Sequence, residues 1–192
     1  TLFRAGWPFT VFVATDYIDR GYKAYATWAQ LREMAAHGAE LGDHSRSHAH
    51  LVRRLPHEDE AAWAIRVKGE IEGAQRRLRE EAGAAAGVFA YPYGEFTPAL
   101  ESVVAGLGLY AVGQQSGAVG PGTDLRAAPR FPMAGPYADP AQFALKVHTR
   151  PLPVTVLAPA DGLLGPAPQR PALRLRLGTG PFRTDALRCY AS

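Results

Sequence analysis

Short, continuous apolar runs alternate along the chain with longer stretches whose apolar residues recur every three or four positions. The first run, at residues 9–14, is β-branched and aromatic, which is typical of a buried strand of a parallel sheet. The runs cover residues 9–14, 39–42, 87–91, 109–112 and 127–131. Strands that alternate with helices predict a parallel sheet with right-handed crossovers, either open or closed into a barrel. In such folds the functional site lies at the carboxyl ends of the strands.

Capping residues and apolar faces predict helices between these strands. Thr27 and Gln30 form a capping box for a helix that ends at Gly38. Residues 56–83 form the longest predicted helix, with acidic residues in its first turn and arginines in its last, as the helix dipole favours. Thr97 caps a further helix. The apolar face of the longest helix, which should pack against the sheet, comprises Trp63, Val67, Ile71, Ala74 and Leu78.

The pattern changes near residue 151, where a proline-rich segment indicates a linker. We therefore divide the chain into a domain at residues 1–150 and a different segment at residues 151–192. Residues 173–177 alternate apolar and basic side chains, which predicts a half-buried antiparallel strand, and residues 183–190 are a second candidate strand. Because two strands do not make a stable sandwich, we expect this segment to be the beginning of a β-domain that the chain does not complete.

Composition excludes several classes of function. The chain has 192 residues, of which 47% are hydrophobic, so it can form one medium-sized globular domain. Its 21 basic and 18 acidic residues give a net charge of +3, and because they form no basic stripe, we expect no nucleic-acid partner. The single cysteine, Cys189, excludes an internal disulfide. No apolar run is long enough to predict a membrane span.

Three of the six histidines lie within residues 40–51, directly after a predicted strand. His44 and His48 stand four residues apart, so a helical turn after the strand would place both imidazoles on one face, where they can share a metal ion. Zinc takes such a pair together with an oxygen ligand and leaves a position open for water in catalytic sites. The spacing alone also fits a surface cluster with no ligand role.

Four segments, taken in order along the chain, share features with a known family. They are residues 2–13, 28–31, 42–48 and 89–94, and they include the sequences Gly-Asp-His-Ser-Arg-Ser-His and Tyr-Pro-Tyr-Gly. Over residues 2–148 the chain resembles the polysaccharide deacetylases, the NodB-like domains of carbohydrate esterase family 4. The resemblance implies an α/β fold, a distorted parallel (β/α) barrel, and a metal-dependent hydrolase that removes acetyl groups from a polysaccharide, usually from N-acetylated sugars.

The resemblance also implies roles for individual residues. His44 and His48 match the two histidine ligands of a divalent metal, with zinc expected and cobalt, nickel or iron as alternatives. The backbone N–H of Tyr93 matches the donor that stabilises the oxyanion of the tetrahedral intermediate. The other members of this turn, which are expected to bind substrate, are Tyr91, Pro92 and Gly94. Enzymes of this kind usually meet their polymer outside the cytoplasm, so the resemblance implies a periplasmic or extracellular location.

The first departure from the family pattern concerns the paired aspartates, one a metal ligand and one the general base. They precede the segment where this chain begins, and Asp16 and Asp43 are in the wrong places to replace them. We therefore interpret the chain as a deacetylase domain that is incomplete at its N-terminus. Without a carboxylate ligand and a base, we expect this 192-residue polypeptide to be inactive.

Two further departures concern later motifs. Ala90 stands where the family has an arginine, and Arg130, at the end of a later predicted strand, is a candidate to reach the same place. His148 is the nearest match to a late family histidine that serves as general acid, but its spacing is one residue too long. These losses also fit a carbohydrate-binding module on the same fold whose catalytic apparatus has decayed, and this alternative stays open.

Overall fold

The computed structural model describes residues 2–159, 172–180 and 182. Its strands are β1 (Phe9–Val13), β2 (Ala39–Asp43), β3 (Val88–Ala90), β4 (Tyr110–Val112), β5 (Val154–Ala158) and β6 (Arg174–Leu177). Its helices are α1 (Leu2–Ala5), α2 (Thr15–Asp19), α3 (Trp28–Ala36), α4 (Glu60–Ala82), α5 (Pro98–Gly106) and α6 (Pro140–Val147). Two short 3₁₀ turns lie at Pro92–Gly94 and Gly135–Tyr137.

Strands β1 to β4 form one parallel sheet in the order β1-β2-β3-β4. The strand predicted at residues 127–131 contributes a single parallel bridge, between Val112 and Ala128, so it extends the sheet by one pair of residues. The α/β class with a parallel sheet is confirmed. Closure into a barrel stays a prediction, because β1 lies at an edge of the sheet in the described part of the chain.

The helices begin and end where their capping residues place them. In α3 the Thr27 hydroxyl accepts a hydrogen bond from the Gln30 backbone N–H, and the Gln30 side chain accepts one from the Thr27 N–H. Helix α4 is shorter than the predicted range because Asp59 is its N-cap. It ends before Gly83, whose φ of 78° lies in the left-handed region that glycine tolerates.

The apolar face predicted for α4 is buried against the sheet. Val67, Ile71 and Leu78 are fully buried. Val67 and Ile71 share one core cluster with Phe89 of β3, and Leu78 shares the second with Leu41 of β2. Each such side chain contributes about 1.5–3 kcal/mol of hydrophobic stabilisation when fully buried. This packing fixes neighbouring strands so that their carboxyl ends form one edge.

Strands β5 and β6 pair antiparallel in a separate two-stranded sheet, with a register shift between Val156 and Ala158. β6 confirms a strand within residues 173–177, although its residues are mostly exposed and not half-buried. β5 lies at residues 154–158, for which no strand was predicted. The strand predicted at residues 183–190 lies outside the described residues, and the division of the chain at residue 151 stays a prediction. Among the described helices, none has the length and apolar character needed to cross a bilayer.

Candidate functional site

His44 and His48 lie together at the carboxyl edge of the sheet, where β2 ends. Their ring centroids are 4.7 Å apart and their planes make an angle of 76°. The backbone between them is not the helical turn that we predicted. Ser45 and His48 have φ angles of 63° and 56°, in the left-handed region, so a tight loop brings His48 back beside His44. The two imidazoles are neighbours, but a loop and not a helix face makes them so.

Two side chains hold this loop in shape. Asp43 Oδ1 accepts a hydrogen bond from the Ser45 N–H at 2.7 Å, and Ser45 Oγ accepts one from the His48 N–H at 3.0 Å. Asp43 is 0% exposed. Burial raises the pKa of Asp43 to about 7, although hydrogen bonds from the Ser45 N–H and from the Gln75 side chain act in the opposite direction. Asp43 therefore serves the loop as a buried hydrogen-bond acceptor.

The surroundings of His44 determine which of its nitrogens can bind a metal. Its Nδ1 lies 2.7 Å from the backbone carbonyl oxygen of Ala90. A carbonyl oxygen only accepts, so Nδ1 carries the proton and Nε2 has the free lone pair. Burial lowers the pKa of His44 to about 4; the bond to Ala90 raises it, and the charges of His48 and Arg130 lower it further. Near pH 7 this imidazole is neutral, which is the form that ligates metals.

The donor set at this edge matches part of a zinc site. Two imidazoles suit zinc, and the hydrogen bond from His44 to a backbone carbonyl is the usual support of a zinc-binding histidine. Within residues 2–159, 172–180 and 182, no group of three or more His, Cys, Asp or Glu side chains could hold a metal ion. Asp16 is paired with Arg20 and Arg46 instead. The residues present therefore fit two protein ligands of such a site and do not supply a third.

The Tyr-Pro-Tyr-Gly turn follows β3 and lies beside the histidine pair. Tyr93 has a φ of 58°, and its ring centroid is 4.6 Å from that of His48. Its side chain is 47% exposed. Gly94 has a φ of 71°, and a Cβ at this position would lie 2.6 Å from the Cβ of Gln114. Both the backbone conformation and the available space therefore require glycine at position 94.

Tyr91 and Pro92 are fully buried, which corrects the expectation that they contact substrate. The Tyr91 hydroxyl donates a hydrogen bond to the backbone oxygen of Arg126 at 2.7 Å, and its ring packs edge-on against Phe89. Burial raises the pKa of this hydroxyl above its ordinary value. Both residues have packing roles because they lie in the turn that positions Tyr93, and neither side chain is presented to a ligand.

Arg130 reaches the same edge from the position next to β4. Its Nε donates a hydrogen bond to the backbone oxygen of Gly113 at 2.7 Å, and its guanidinium lies 5.8 Å from the ring centroid of Phe12. The guanidinium is close enough to His44 for its charge to lower the pKa of that imidazole, and burial lowers the pKa of Arg130 itself. The structure thus places Arg130 near the histidine pair, as its predicted role requires, while the role itself stays a prediction.

His148 lies apart from this group. His148 is the C-cap of α6, with its N–H donating to the oxygen of Ala144 at 3.3 Å. The residue is exposed. No contact in the described part of the chain joins His148 to His44 or His48, so a catalytic role for it rests on resemblance alone.

Sequence reasoning did not find the contacts that several neighbours of the histidine pair make. His50 Nδ1 lies 2.8 Å from Glu95 Oε2, and the His50 ring stacks on Tyr93 with centroids 3.9 Å apart. Tyr17 and Tyr25 line a cavity of about 240 Å³ that the histidine pair also lines. The available signal was the concentration of tyrosines directly after β1, which had to lie at the carboxyl edge of the sheet.

The fold and this edge define an α/β protein whose polar and aromatic side chains converge at the carboxyl ends of parallel strands, where such proteins bind ligands. The family model described as Polysaccharide deacetylase matches residues 1–112, which is more than half of the 192-residue chain. The chain therefore belongs to the polysaccharide deacetylase family. A search of curated proteins gave no match.

Solved structures share the fold. The Streptococcus pyogenes deacetylase PplD in complex with acetate aligns with a TM-score of 0.66 and 20% identity over 76% of this chain and 61% of its own. The BpsB deacetylase domain from Bordetella bronchiseptica aligns with a TM-score of 0.61 and 24% identity, over 68% of this chain and 62% of its own. IcaB from Ammonifex degensii aligns with a TM-score of 0.61 and 24% identity, over 77% of this chain and 65% of its own. The chain thus spans about three fifths of the length of the first two proteins.

Proposed function

We propose that this chain provides the histidine face of a metal-dependent hydrolase that removes acetyl groups from a polysaccharide, with N-acetylated sugar units as the preferred substrate. The observation that carries the proposal is the pair His44 and His48 at the carboxyl edge, with Nε2 of His44 left available because Nδ1 is bonded to Ala90. Family membership supports the reaction type, and PplD holds acetate, the product of such a hydrolysis. A polymeric substrate of this kind favours a periplasmic or extracellular location.

Zinc is the proposed ion, and cobalt, nickel and iron are alternatives that imidazole ligands also suit. His44 and His48 would hold it through ring nitrogens. When bound, such an ion supplies an activated water near neutral pH and polarises the acetyl carbonyl. Because the pKa of His44 is lowered to about 4, its Nε2 carries no proton near pH 7, and protonation competes with metal binding at this nitrogen only as the pH approaches 4.

The turn after β3 and the neighbouring Arg130 provide the remaining proposed contacts. The backbone N–H of Tyr93 would donate a hydrogen bond to the oxyanion that forms as the acetyl carbonyl is attacked. Gly94 lets the backbone approach the sugar closely, since it has no side chain at a crowded position. Arg130, whose guanidinium lies near His44, would orient an acidic group at the site. His148 is retained as the candidate general acid.

The proposed reaction also needs a base, which removes a proton from the attacking water. The chain contains no two adjacent aspartates. Its described part contains no third side chain that completes a metal site with the histidine pair. We therefore propose that the 192-residue polypeptide alone does not turn over substrate, although it would supply the histidine pair and the turn.

A carbohydrate-binding module on the same fold is the second candidate. It is favoured by Ala90 in the place of the family's arginine and by the lack of a third ligand in the described residues. Such a module would bind glycan at the carboxyl edge with or without a metal ion. The histidine pair, with one imidazole held in the tautomer that metals bind, favours the hydrolase.

Acetohydroxamate, a chelating mimic of the acetyl group, separates the two candidates in a calorimetric titration. We expect it to bind the 192-residue chain only when zinc is present, and to lose that binding in His44→Ala. The matched control is His37→Ala, an exposed histidine at the opposite end of β2, which should leave binding unchanged. Oligosaccharide binding without any zinc-dependent binding of acetohydroxamate would favour the binding module. Release of acetate from an N-acetylated oligosaccharide by this polypeptide would contradict its proposed inactivity.

A further inference from the structure

Three tyrosines form a compact cluster in the segment between β1 and α3. The rings of Tyr17 and Tyr25 stack with centroids 4.8 Å apart and an interplanar angle of 3°. Tyr22 lies against both, with centroid distances of 5.6 Å to Tyr17 and 6.5 Å to Tyr25. Tyr22 and Tyr25 are nevertheless 46% and 47% exposed. Since Tyr17 covers one face of Tyr25, the exposed area of Tyr25 lies at its other face and its edge.

The segment that carries this cluster is anchored to the rest of the fold. Asp19 accepts a hydrogen bond from Trp28 Nε1 at 2.8 Å and is bound by the Arg77 guanidinium through both carboxylate oxygens. Arg77 holds the pKa of Asp19 below its ordinary value. Asp16 pairs with Arg46, which lies between His44 and His48 in the sequence. The tyrosines are therefore held in place before any ligand binds, which reduces the entropy lost on binding.

The cluster is continuous with the histidine pair. The ring of Tyr17 lies edge-on to that of His48, with centroids 6.5 Å apart. Tyr17 and Tyr25 line the same cavity as His44 and His48. Tyr93 lies 4.6 Å from His48. The histidine pair thus has aromatic neighbours from two segments, one after β1 and one after β3.

We propose that Tyr22 and Tyr25, backed by Tyr17, form a binding subsite for a pyranose ring of the polysaccharide, next to the sugar unit whose acetyl group faces the histidine pair. The C–H groups on one face of a pyranose carry partial positive charge and are attracted to the negative face of an aromatic ring. The phenolic hydroxyls can hydrogen-bond to sugar hydroxyls. The proposal deepens the proposed function and rests on it, because it names where the polymer lies relative to the histidine pair.

The exposure of the rings argues against a purely structural role. A tyrosine that only filled the core would be buried, as Tyr91 is, with its hydroxyl bonded to a backbone oxygen. Tyr22 and Tyr25 instead present aromatic surface at the edge where the strands end. Rigid, exposed aromatic rings at the mouth of a polar site are suited to a ligand that is flat, uncharged and hydroxylated, which describes a pyranose of a neutral glycan.

Titration of the 192-residue chain with a β-1,4-linked pentamer of N-acetylglucosamine, followed by NMR, tests the subsite. We expect Tyr25→Ala to weaken binding about threefold to tenfold, and Tyr25→Trp to retain or strengthen it. The matched control is Tyr110→Ala, which removes a tyrosine that is 64% exposed at the start of β4, away from the carboxyl edge. Binding by Tyr110→Ala should equal that of the unaltered chain.

The outcomes separate this subsite from the metal chemistry. If Tyr25→Ala and the unaltered chain bind the pentamer equally well, the subsite proposal is overturned. It is also overturned if the unaltered chain binds neither this pentamer nor its β-1,6-linked counterpart nor an acetylated xylan oligosaccharide. Stronger binding of aromatic peptides than of any of these glycans would also overturn it. If His44→Ala loses zinc binding and Tyr25→Ala loses glycan binding, the results support both the metal site and the tyrosine subsite. Glycan binding that depends on Tyr25 in a chain that binds no zinc would defeat the metal proposal alone.

Discussion

Asp43→Asn gives a direct test of how the loop that carries the histidine pair is held. The Asp43 carboxyl is completely buried, one of its oxygens accepts the Ser45 N–H, and burial raises its pKa to about 7. Asparagine keeps an acceptor oxygen in the same place and carries no charge at any pH. The substitution therefore removes the titration of this group while it can preserve the hydrogen bond to Ser45.

The sign of the change in stability follows from the pH at which Asp43 loses its proton in the folded and in the unfolded chain. The folded chain keeps the proton up to about pH 7, whereas the unfolded chain loses it near pH 4. The contribution of Asp43 to stability is thus present below pH 4 and is lost as the pH rises toward 7. A shift of about three pKa units corresponds to about 4 kcal/mol, which is an upper bound because buried sites relax. Asp43→Asn should gain stability relative to the unaltered chain by about 2–4 kcal/mol over this range.

Urea unfolding, followed by the tryptophan fluorescence of the chain, to which the buried Trp63 contributes, measures this difference at a series of pH values. His44 acts in the opposite direction, since its pKa is lowered to about 4 and its contribution is lost as the pH falls from about 6.5. That contribution is common to both proteins and cancels in the difference. At about pH 3 the Asp43 carboxyl is largely protonated in both the folded and the unfolded chain, so this pH is the internal control. A difference in unfolding free energy that does not change with pH would refute the reasoning.

Three further substitutions test the packing around the site by thermal unfolding. Gly94→Ala should destabilise the chain by about 1–3 kcal/mol, because φ is positive and the added Cβ meets Gln114; unchanged stability would show that the turn relaxes. Gly69→Ala, inside α4 with open space around it, is the matched control and should stabilise by about 0.5–1 kcal/mol. Trp63→Phe should cost about 1–3 kcal/mol, because it leaves the Leu51 carbonyl without its 2.7 Å hydrogen bond; a smaller cost would mean that water replaces the indole.

Features encoded within one segment were predictable from the sequence. The apolar face of α4 is buried as its periodicity predicted, because a helix turns such residues to one side whatever lies elsewhere. The capping box at Thr27 formed because both of its hydrogen bonds join residues three positions apart. The histidine pair was found at the edge of the sheet because the carboxyl ends of parallel strands share that edge.

Features that depend on distant partners were not predictable in the same way. The tautomer of His44 is set by the carbonyl of Ala90, 46 positions away in the sequence. Tyr91 was expected at the surface of the site, but its hydroxyl finds the backbone oxygen of Arg126 and the ring is buried. Strand β5 follows a proline-rich stretch and exists through its pairing with β6. In each case a contact between separate segments decides the outcome, and local propensity does not record it.

The pairing of Glu95 with His50 is another contact between distant segments that the sequence did not predict. Neither residue has a neighbour in sequence that would suggest the contact, yet Glu95 fixes His50 at 2.8 Å, and His50 supports one face of Tyr93. This support matters because Tyr93 holds a left-handed backbone conformation that is unfavourable for a residue with a side chain. His50 therefore stabilises the turn that is proposed to bind the oxyanion.

Anomalous diffraction at the zinc absorption edge, from crystals of this chain soaked in zinc, tests the central claim most directly. The account predicts a peak about 2.0–2.1 Å from His44 Nε2 and from one ring nitrogen of His48, with His44 Nδ1 still bonded to Ala90. The same soak of His48→Ala should give no peak at this position. A zinc-soaked crystal with no anomalous density between the two imidazoles, or with zinc bound through His44 Nδ1, would contradict the account.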